Sequence, residues 1–454
     1  MICAKAGAAV EEFRVDWGRV MQALSMKIQT WLSKQPAHVF SIFAIVAAFS
    51  SYFSMYAFRK PFAAGSYAEI EAVTILGSTL QYKTILIISQ VIGYCLSKFM
   101  GIKVISEMPA SRRAMGIALC IGIAWGALLL FAVIPAPYNV LCLFVNGLPL
   151  GMIWGLVFGF LEGRKVSEVL GVGLSASYIL ASGVVKSVGK ILINAGVPEF
   201  WMPFATGACF AIPMAVFVFL LASLPPPTPE DIAERTERKP MDAAARKAFF
   251  MRYLPGLLSL TVLYVLLTAY RDFRDNFAVE IWKALGKTEA ESAALLAGSE
   301  LPVTVGVLLV LAFLMFIKDN RKALLAVHAI MLLGTATVGI STLLFSMEVI
   351  GPTSWMILIG FGLYAAYVPF GCILFDRLIA TVNAVGTAGF LIYVTDAFGY
   401  LGSVGLMLYK DIGSPDLSWL EFFKVASYAT AIFCTALYAV SLLYFWRLKP
   451  SDAS

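Results

Sequence analysis

Long apolar segments alternate with short polar segments along almost the whole chain. About twelve apolar stretches of roughly 20 residues recur, and each is long enough to cross about 30 Å of hydrocarbon as a helix. They lie near 38–62, 81–103, 114–135, 138–161, 168–193, 200–223, 253–281, 293–317, 322–347, 353–376, 382–408 and 419–446. Backbone groups cannot remain unpaired in lipid, and the sequence lacks the ten-residue alternation of a membrane β-barrel. The pattern therefore predicts an all-α integral membrane protein with about twelve transmembrane helices.

Composition supports a protein that lies in a lipid bilayer. Hydrophobic residues make up 60% of the chain and charged residues 14%, and the mean hydropathy is +0.83. These values are far from those of a soluble domain. The seven cysteines are scattered and form neither a metal-binding pair nor a disulfide framework. We expect no metal, no cofactor and no nucleic-acid partner.

The positions of lysine and arginine predict the orientation in the membrane. Basic segments at 106–113, 162–168, 231–252 and 318–323 alternate with turns such as "IPAPYN" and "NAGVPEF", which contain neither residue. Cytoplasmic loops retain basic residues, so both termini are predicted to be cytoplasmic. We expect a multi-pass monomer in the cell (inner) membrane.

The first part of the chain, 1–36, has the pattern of an amphipathic helix. Its large apolar residues recur at three- and four-residue steps: Phe13, Trp17, Met21, Leu24, Ile28 and Trp31. Basic residues occupy much of the remaining surface. The segment is predicted to lie on the inner membrane surface, and the alternative is a solvated helix packed on the cytoplasmic loops.

The apolar segments fall into two groups of six. A stretch rich in proline and charge, 224–252, separates a predicted N-terminal bundle, 37–223, from a C-terminal bundle, 253–447, which a short cytoplasmic tail, 448–454, follows. The segment "FRKPFA" in the first span also resembles "FRDNFA" in the seventh. This repeat predicts two pseudo-symmetric six-helix bundles with a binding site at the axis that relates them.

Charged residues within the apolar spans are the main candidates for function. The cations are Arg59, Lys60, Lys98, Lys186, Arg271 and Arg274, and the carboxylates are Asp272, Asp275, Glu300 and Asp396. Charges inside a membrane usually face a bundle interior or an aqueous cavity. Because the cations are in excess, the pattern predicts an anionic substrate, and paired arginines suit phosphate.

Alternative roles exist for several of these residues. Arg59 and Arg274 lie about 21 residues into their spans, so both side chains have the length to extend to the outer interface. The same alternative applies to Lys186. The four carboxylates serve either to neutralise cations or to carry protons, and for Asp396 a structural hydrogen-bonded role is the competing interpretation. Five tyrosines are candidates to donate hydroxyls to a phosphate, with core packing as their alternative: Tyr52, Tyr56, Tyr94, Tyr270 and Tyr393.

The topology and three short motifs resemble the major facilitator superfamily, and within it the organophosphate:phosphate antiporters. The motifs are "MYAFRKPFA" in the first span, "IGYCLSKFMG" in the second and "SELP" in the eighth. The resemblance implies that Arg59 binds phosphate and that Lys98 is a cavity lysine. It also implies that Lys60 joins a salt-bridge network with Glu300 and an acidic residue of the seventh helix.

The resemblance is weaker in two helices. The family has one arginine in the seventh helix, whereas "YRDFRDNF" has two, so the family favours Arg271 and the internal repeat favours Arg274. The histidine that the antiporters have in the fifth helix is replaced here by a region around Ser177 and Tyr178.

Together these features predict a secondary transporter of an organic anion, in particular a phosphorylated small molecule, that works by alternating access. No phosphate-binding loop of the ATPase type is present in the sequence, so coupling to phosphate exchange or to protons is expected. The alternative is a transporter-like membrane sensor of a phosphorylated ligand. We do not expect an enzyme, because no catalytic constellation is evident in the spans.

Overall fold

The computed structural model describes residues 19–75, 78–162, 164, 166–229, 231, 251–382 and 388–447. Residues 1–18, most of the predicted linker 224–252 and the predicted tail 448–454 lie outside the described residues. The predicted domain boundaries therefore stay predictions.

The first half of the chain forms six membrane-length helices. They are α1 (Ala37–Met55), α2 (Tyr82–Glu107), α3 (Ala110–Val133), α4 (Val140–Phe158), α5 (Ser167–Asn194) and α6 (Met202–Ala222). Between α1 and α2 the chain forms an antiparallel hairpin of two strands, β1 (Val73–Ile75) and β2 (Ser78–Leu80). Helix α2 packs against α4, and α1 packs against α5 and α6.

The second half contains shorter helical pieces as well as long helices. They are α7 (Leu254–Asn276), α8 (Ala278–Ala284), α9 (Glu289–Gly298), α10 (Glu300–Met315), α11 (Asn320–Ser346), α12 (Pro352–Tyr367), α13 (Pro369–Cys372), α14 (Leu374–Thr381), α15 (Ala388–Leu408) and α16 (Trp419–Arg447). Helices α9 and α10 together cover the eighth predicted span, and α12 to α14 cover the tenth. Proline stands within the first two residues of α7 and α12, where its missing N–H costs nothing.

The fold agrees with the predicted class. Eleven helices of the described residues are long and apolar enough to cross a membrane, and α15 takes the place of the eleventh predicted span. The prediction of an all-α membrane protein with about twelve transmembrane helices in two six-helix bundles is therefore confirmed.

The first predicted span is not one continuous helix. The α-helix ends at Met55, and 3₁₀ turns follow at Tyr56–Phe58 and Pro61–Ala64. Pro61 lacks a backbone N–H and disfavours helical geometry in the residue before it, so it ends the helix near Lys60. The two adjacent cations Arg59 and Lys60 therefore lie in a break of the helix rather than on its regular surface.

Residues 19–32 form a helix that packs against the first bundle. Leu32 is buried, Trp31 contacts Phe43 edge to face, and Ser223 donates a hydrogen bond to Ser25. Leu24 and Trp31 are nevertheless 45% and 49% exposed. The location of this helix on a membrane surface stays a prediction.

The two halves are in contact at one end of the bundle. We call the end at which α1 begins and α16 ends the terminal face, and the other end the opposite face. Near the opposite face, Lys83 at the start of α2 pairs with Glu280 of α8 at 2.5 Å. The backbone N–H of Gln81 donates to Asp411 at 3.0 Å. These contacts close the opposite face in this conformation.

Candidate functional site

A cavity of about 70 Å³ lies at mid-depth between the two halves. Its lining is aromatic and charged. Seven lining side chains are tyrosines: Tyr52, Tyr56, Tyr94, Tyr178, Tyr264, Tyr367 and Tyr400. Four described lining side chains carry charge: Arg59, Lys98, Arg271 and Asp396. The cavity is therefore small and polar, and three of its four charges are positive.

The break in the first span determines the position of Arg59. The side-chain amide of Gln90 on α2 donates to the backbone carbonyl of Arg59 at 2.8 Å and to the side-chain oxygen of Asn146 at 2.7 Å. Asn146 on α4 donates to the Phe58 carbonyl at 2.9 Å. Irregular backbone at membrane depth is tolerated only where protein groups satisfy it, and these two amides do so.

Close packing of α2 on α4 brings these two amides together. A Cβ atom on Gly147 would lie 2.3 Å from the Gln90 carbonyl oxygen, and one on Gly93 would lie 2.2 Å from the Phe144 carbonyl oxygen. Both distances are too short for any side chain. Glycine at these two positions therefore allows the helix contact that supports the break.

Arg59 is a buried cation without a carboxylate partner among the described residues. It is 5% exposed, and its guanidinium lies 3.8 Å from the centre of the Tyr94 ring. Its Nε atom is buried and has no hydrogen-bond partner in the described part of the chain. A buried arginine is costly unless paired, so Arg59 retains capacity to bind an anion.

Arg271 is the second arginine of the cavity, and it is paired. Its guanidinium binds Asp272 at 2.8 Å and lies 4.4 Å from the centre of the Tyr367 ring. Asp272 also accepts a hydrogen bond from Ser403 at 2.8 Å. Asp272 does not line the cavity, so Arg271 lies between this carboxylate and the cavity.

Lys98 and Asp396 form an ion pair across the two halves within the cavity. Lys98 Nζ lies 3.1 Å from Asp396 Oδ2. Tyr264 donates a hydrogen bond to Asp396, and the hydroxyls of Tyr264 and Tyr367 are 2.7 Å apart. The predicted cavity lysine therefore has a carboxylate partner from the other bundle.

A second polar cluster lies outside the cavity lining, around Asp275. The two Asp275 oxygens bind Lys60 and Lys186, each at 2.7 Å. Ser182 donates to Asp275 at 2.5 Å, and Lys60 donates to Asn276 at 2.9 Å. Asp275 therefore links the first span and α5 to α7.

Arg274 is held in a different environment from Arg271. It binds Glu300 at 2.8 Å and donates to the Met356 carbonyl at 3.1 Å. With Lys186 and Glu300 it lines a separate cavity of only about 10 Å³. The resemblance implied a network of Lys60 with Glu300 and an acidic residue of the seventh helix. Lys60 does bind Asp275 of that helix, but Glu300 pairs with Arg274.

The structure brings together some of the predicted binding residues and separates others. Arg59, Arg271, Lys98 and Tyr56 line the cavity, whereas four do not: Lys60, Lys186, Arg274 and Tyr270. The first three of these are held by the ion pairs described above. The Tyr270 ring stacks on Phe423, and its hydroxyl lies 2.6 Å from Ser427.

The alternative role considered for Arg59 and Arg274, in which their side chains extend to the outer interface, does not agree with the structure. The two residues are 5% and 3% exposed, and both side chains point into the protein. Four of the cavity tyrosines were not among the sequence candidates for this role: Tyr178, Tyr264, Tyr367 and Tyr400. Tyr264 precedes Arg271 by seven residues, two helical turns, so its shared face was a usable signal. The side chain of Tyr393 lies outside the described part.

Comparison with known proteins identifies a family and a fold. Residues 61–448 match a protein family described as a family of unknown function, DUF5690. No curated protein matches the sequence. Several solved structures are similar in fold at low sequence identity.

Three of these structures are transporters by their descriptions. A D-xylose–proton symporter has a TM-score of 0.58 and is 14% identical, over 92% of this chain and 99% of its own. A bacterial homologue of the human drug peptide transporters has a TM-score of 0.57 and is 14% identical, over 90% of this chain and 98% of its own. A nucleoside transporter has a TM-score of 0.57 and is 13% identical, over 89% and 99%.

At this level of identity the likeness concerns the fold alone, which is the major facilitator fold. The resemblance to organophosphate:phosphate antiporters stays a prediction.

Proposed function

The chain belongs to the DUF5690 family, a family of unknown function, and we propose that it is a secondary transporter of an organic anion. Its major facilitator fold, shared with transporters of different substrates, supports alternating access between two bundles. Both termini are proposed to be cytoplasmic, as the basic loops indicate.

The observation that carries the proposal is that Arg59 lines the cavity between the halves and has no carboxylate partner in the described part of the chain. A buried cation is costly without a counter-charge, and a bound anion would supply one to Arg59. Arg271 and Lys98 add two further cations from the second and first halves. We assign Arg59 and Arg271 as the principal anion ligands, with Lys98 and Tyr56 beside them.

A phosphorylated small molecule is the proposed substrate class. A guanidinium donates two parallel hydrogen bonds to a phosphate, and the tyrosine hydroxyls provide additional neutral donors. The cavity of about 70 Å³ has room for the anionic group in this conformation. The organic part of the substrate requires the halves to move apart.

Binding of an anion would also promote the conformational change. Arg59 and Arg271 belong to different halves and both line the cavity, so an anion bound between them would be attracted to both halves. This differential binding lowers the energy of the closed, occupied state. Exchange of one anion for another needs no further component, and proton coupling would additionally require one of the paired carboxylates to titrate.

The first test measures anion binding to the purified, full-length protein by the shift in its thermal unfolding temperature. The panel contains inorganic phosphate, glycerol 3-phosphate, glucose 6-phosphate and simple carboxylates. We expect a phosphate compound to stabilise the wild type and Arg59→Gln and Arg271→Gln to weaken its binding about ten- to hundredfold, because each removes a charged hydrogen-bond donor.

Arg274→Gln is the matched control. Arg274 is one helical turn from Arg271, but it binds Glu300 and does not line the cavity. It is expected to lower the stability of the empty protein and to leave the ligand-dependent shift in place. Full ligand stabilisation in the Arg59 variant would contradict the site. Absence of any anion binding to the wild type would contradict the proposed function.

Reconstituted vesicles then distinguish the forms of the function. Uptake that is accelerated by unlabelled anion inside the vesicles indicates exchange, whereas uptake driven by a pH gradient indicates proton coupling. Binding without transport in either assay would favour the alternative, a transporter-like sensor of a phosphorylated ligand.

A further inference from the structure

Asp396 is a carboxylate that faces the same cavity as the cations. Its side chain is 13% exposed, and it lies between Lys98 at 3.1 Å and the hydroxyl of Tyr264. Asp272, by contrast, binds Arg271 and does not itself line the cavity. Among the described lining residues, Asp396 is thus the one negative charge that an entering anion meets directly.

A built-in carboxylate has two effects on a bound anion. It forms an ion pair with the ammonium group of Lys98, so a substrate that binds Lys98 must share this ammonium group with Asp396 or displace Asp396 from it. It also repels the substrate, and the repulsion grows with the negative charge of the substrate, because Coulomb energy is proportional to both charges. A dianion is therefore penalised more than a monoanion of similar shape.

We propose that Asp396 determines the charge specificity of the cavity and disfavours dianions relative to monoanions. This inference rests on the proposed function, since it assumes that the cavity binds an anion. Lys98 is its counterpart: it neutralises Asp396 when the site is empty and contacts the anion when the site is occupied. Arg59 attracts every anion and a dianion most strongly, and Asp396 reduces this preference for the higher charge.

The Asp396→Asn substitution isolates this effect. Asparagine has the same shape, and its carbonyl oxygen still accepts the hydrogen bond of Tyr264, but the negative charge is lost and with it the ion pair to Lys98. The probes are methyl phosphate, which is mostly a dianion at about pH 7.5, and dimethyl phosphate, which is a monoanion. The affinity of the purified full-length protein for each probe is measured by calorimetry at one salt concentration.

We expect the ratio of dianion to monoanion affinity to rise about tenfold or more in Asp396→Asn relative to the wild type. Lys98→Gln is expected to change the same ratio in the opposite direction, which also provides a test if the first variant does not fold. A purely structural role of Asp396 would change both affinities together and leave their ratio constant.

Glu280→Gln is the matched control. It removes another carboxylate that binds a first-half lysine, Lys83 at 2.5 Å, but Glu280 does not line the cavity. It is expected to leave the ratio unchanged. If the wild type binds both probes and Asp396→Asn keeps the wild-type ratio, the inference is overturned and the proposed function stands. If neither probe binds the wild type or the variant, the proposed function fails and the inference fails with it.

Discussion

The two halves of the chain contribute opposite charges to the interface between them. Five ion pairs of the described residues cross this interface, and in each one the cation belongs to the first half and the carboxylate to the second. They are Lys60–Asp275, Lys83–Glu280, Lys98–Asp396, Lys186–Asp275 and Lys190–Glu289. All five pairs therefore attract a positively charged surface of the first half to a negatively charged surface of the second half. Separation of the halves, which the proposed alternating access requires, has to break or hydrate these pairs.

The internal repeat explains the centre of this arrangement. In "FRKPFA" and "FRDNFA", Lys60 and Asp275 occupy equivalent positions, and they bind each other at 2.7 Å. Equivalent residues of two related halves meet where the symmetry axis passes between them. Two like charges at this position would repel each other, whereas the opposite charges of Lys60 and Asp275 form an ion pair.

The two equivalent arginines differ for a related reason. Arg274 has a carboxylate partner in its own half, Glu300 at 2.8 Å, whereas Arg59 has none among the described residues. At these two equivalent positions, the arginine of the second half is neutralised within its own half, and the arginine of the first half is not. The comparison shows how a duplicated fold can keep one arginine for structure and leave the other for a ligand.

The largest expected effect comes from the carboxylate at the axis. Asp275→Asn leaves both Lys60 and Lys186 without a counter-charge in a buried site, so we expect a loss of about 3–5 kcal/mol in the free energy of unfolding. Thermal or denaturant unfolding of the purified protein measures this loss. Addition of Lys60→Met to the variant removes one of the two unpaired cations and should recover part of it. A loss below about 1 kcal/mol would show that the axis pair does not hold the halves together.

A steric change tests the contact of the halves without any change in charge. A Cβ atom on Gly183 of α5 would lie 2.1 Å from the carbonyl oxygen of Leu296 on α9. Gly183→Leu should therefore disfavour the closed opposite face by about 1–3 kcal/mol, as overpacking does, and slow transport accordingly.

Alkylation of a cysteine introduced at Ala293 provides a readout of the same contact that does not depend on transport. Ala293 is buried there, and its carbonyl accepts a hydrogen bond from Ser187. We expect faster labelling in the Gly183→Leu background, because the interface opens more often. Gly126→Leu is the control, since no atom lies within 4 Å of a Cβ atom at Gly126. Equal labelling in the two backgrounds would contradict a tight contact at Gly183.

The smallest effect is expected at the edge of the interface. Glu289 is 54% exposed where it binds Lys190, whereas Glu280 is only 17% exposed where it binds Lys83. Glu289→Gln should cost less than about 1 kcal/mol of stability, and salt should remove most of that cost. Glu280→Gln should cost more and depend less on salt. Thermal unfolding of both variants at low and high salt makes the comparison, and equal losses would refute the assigned order.

Much of the architecture was predictable because it depends on local composition. Apolar length determines a membrane span, and the repeated pattern indicated two bundles. The break after Met55 was less evident, although Pro61 was a sequence signal for it. The amides that stabilise the break, Gln90 and Asn146, are distant in sequence from Arg59, so their role required the packing of α2 on α4.

The sequence identified residues that line the cavity, but it did not identify the residues with which they form ion pairs. It identified Arg59, Lys98 and Arg271 as candidates, and all three line the cavity. It did not separate Arg271 from Arg274. Arg271 and Arg274 are three positions apart on one helix, so their side chains differ in direction by only about 60°. The positions of the Tyr367 ring and of Glu300 decide which arginine faces the cavity.

The sequence by itself therefore determined the membrane class, the number of spans, the two halves and the excess of buried positive charge. These properties follow from hydrophobicity and composition, which act over one helix at a time. Only the tertiary structure decided which charges are neutralised. Ion pairing depends on distances of a few ångströms between side chains that are up to about 300 residues apart, such as Lys98 and Asp396. For that reason the sequence did not distinguish Arg59, which has no carboxylate partner among the residues that the structure describes, from the cations that are neutralised across the two halves.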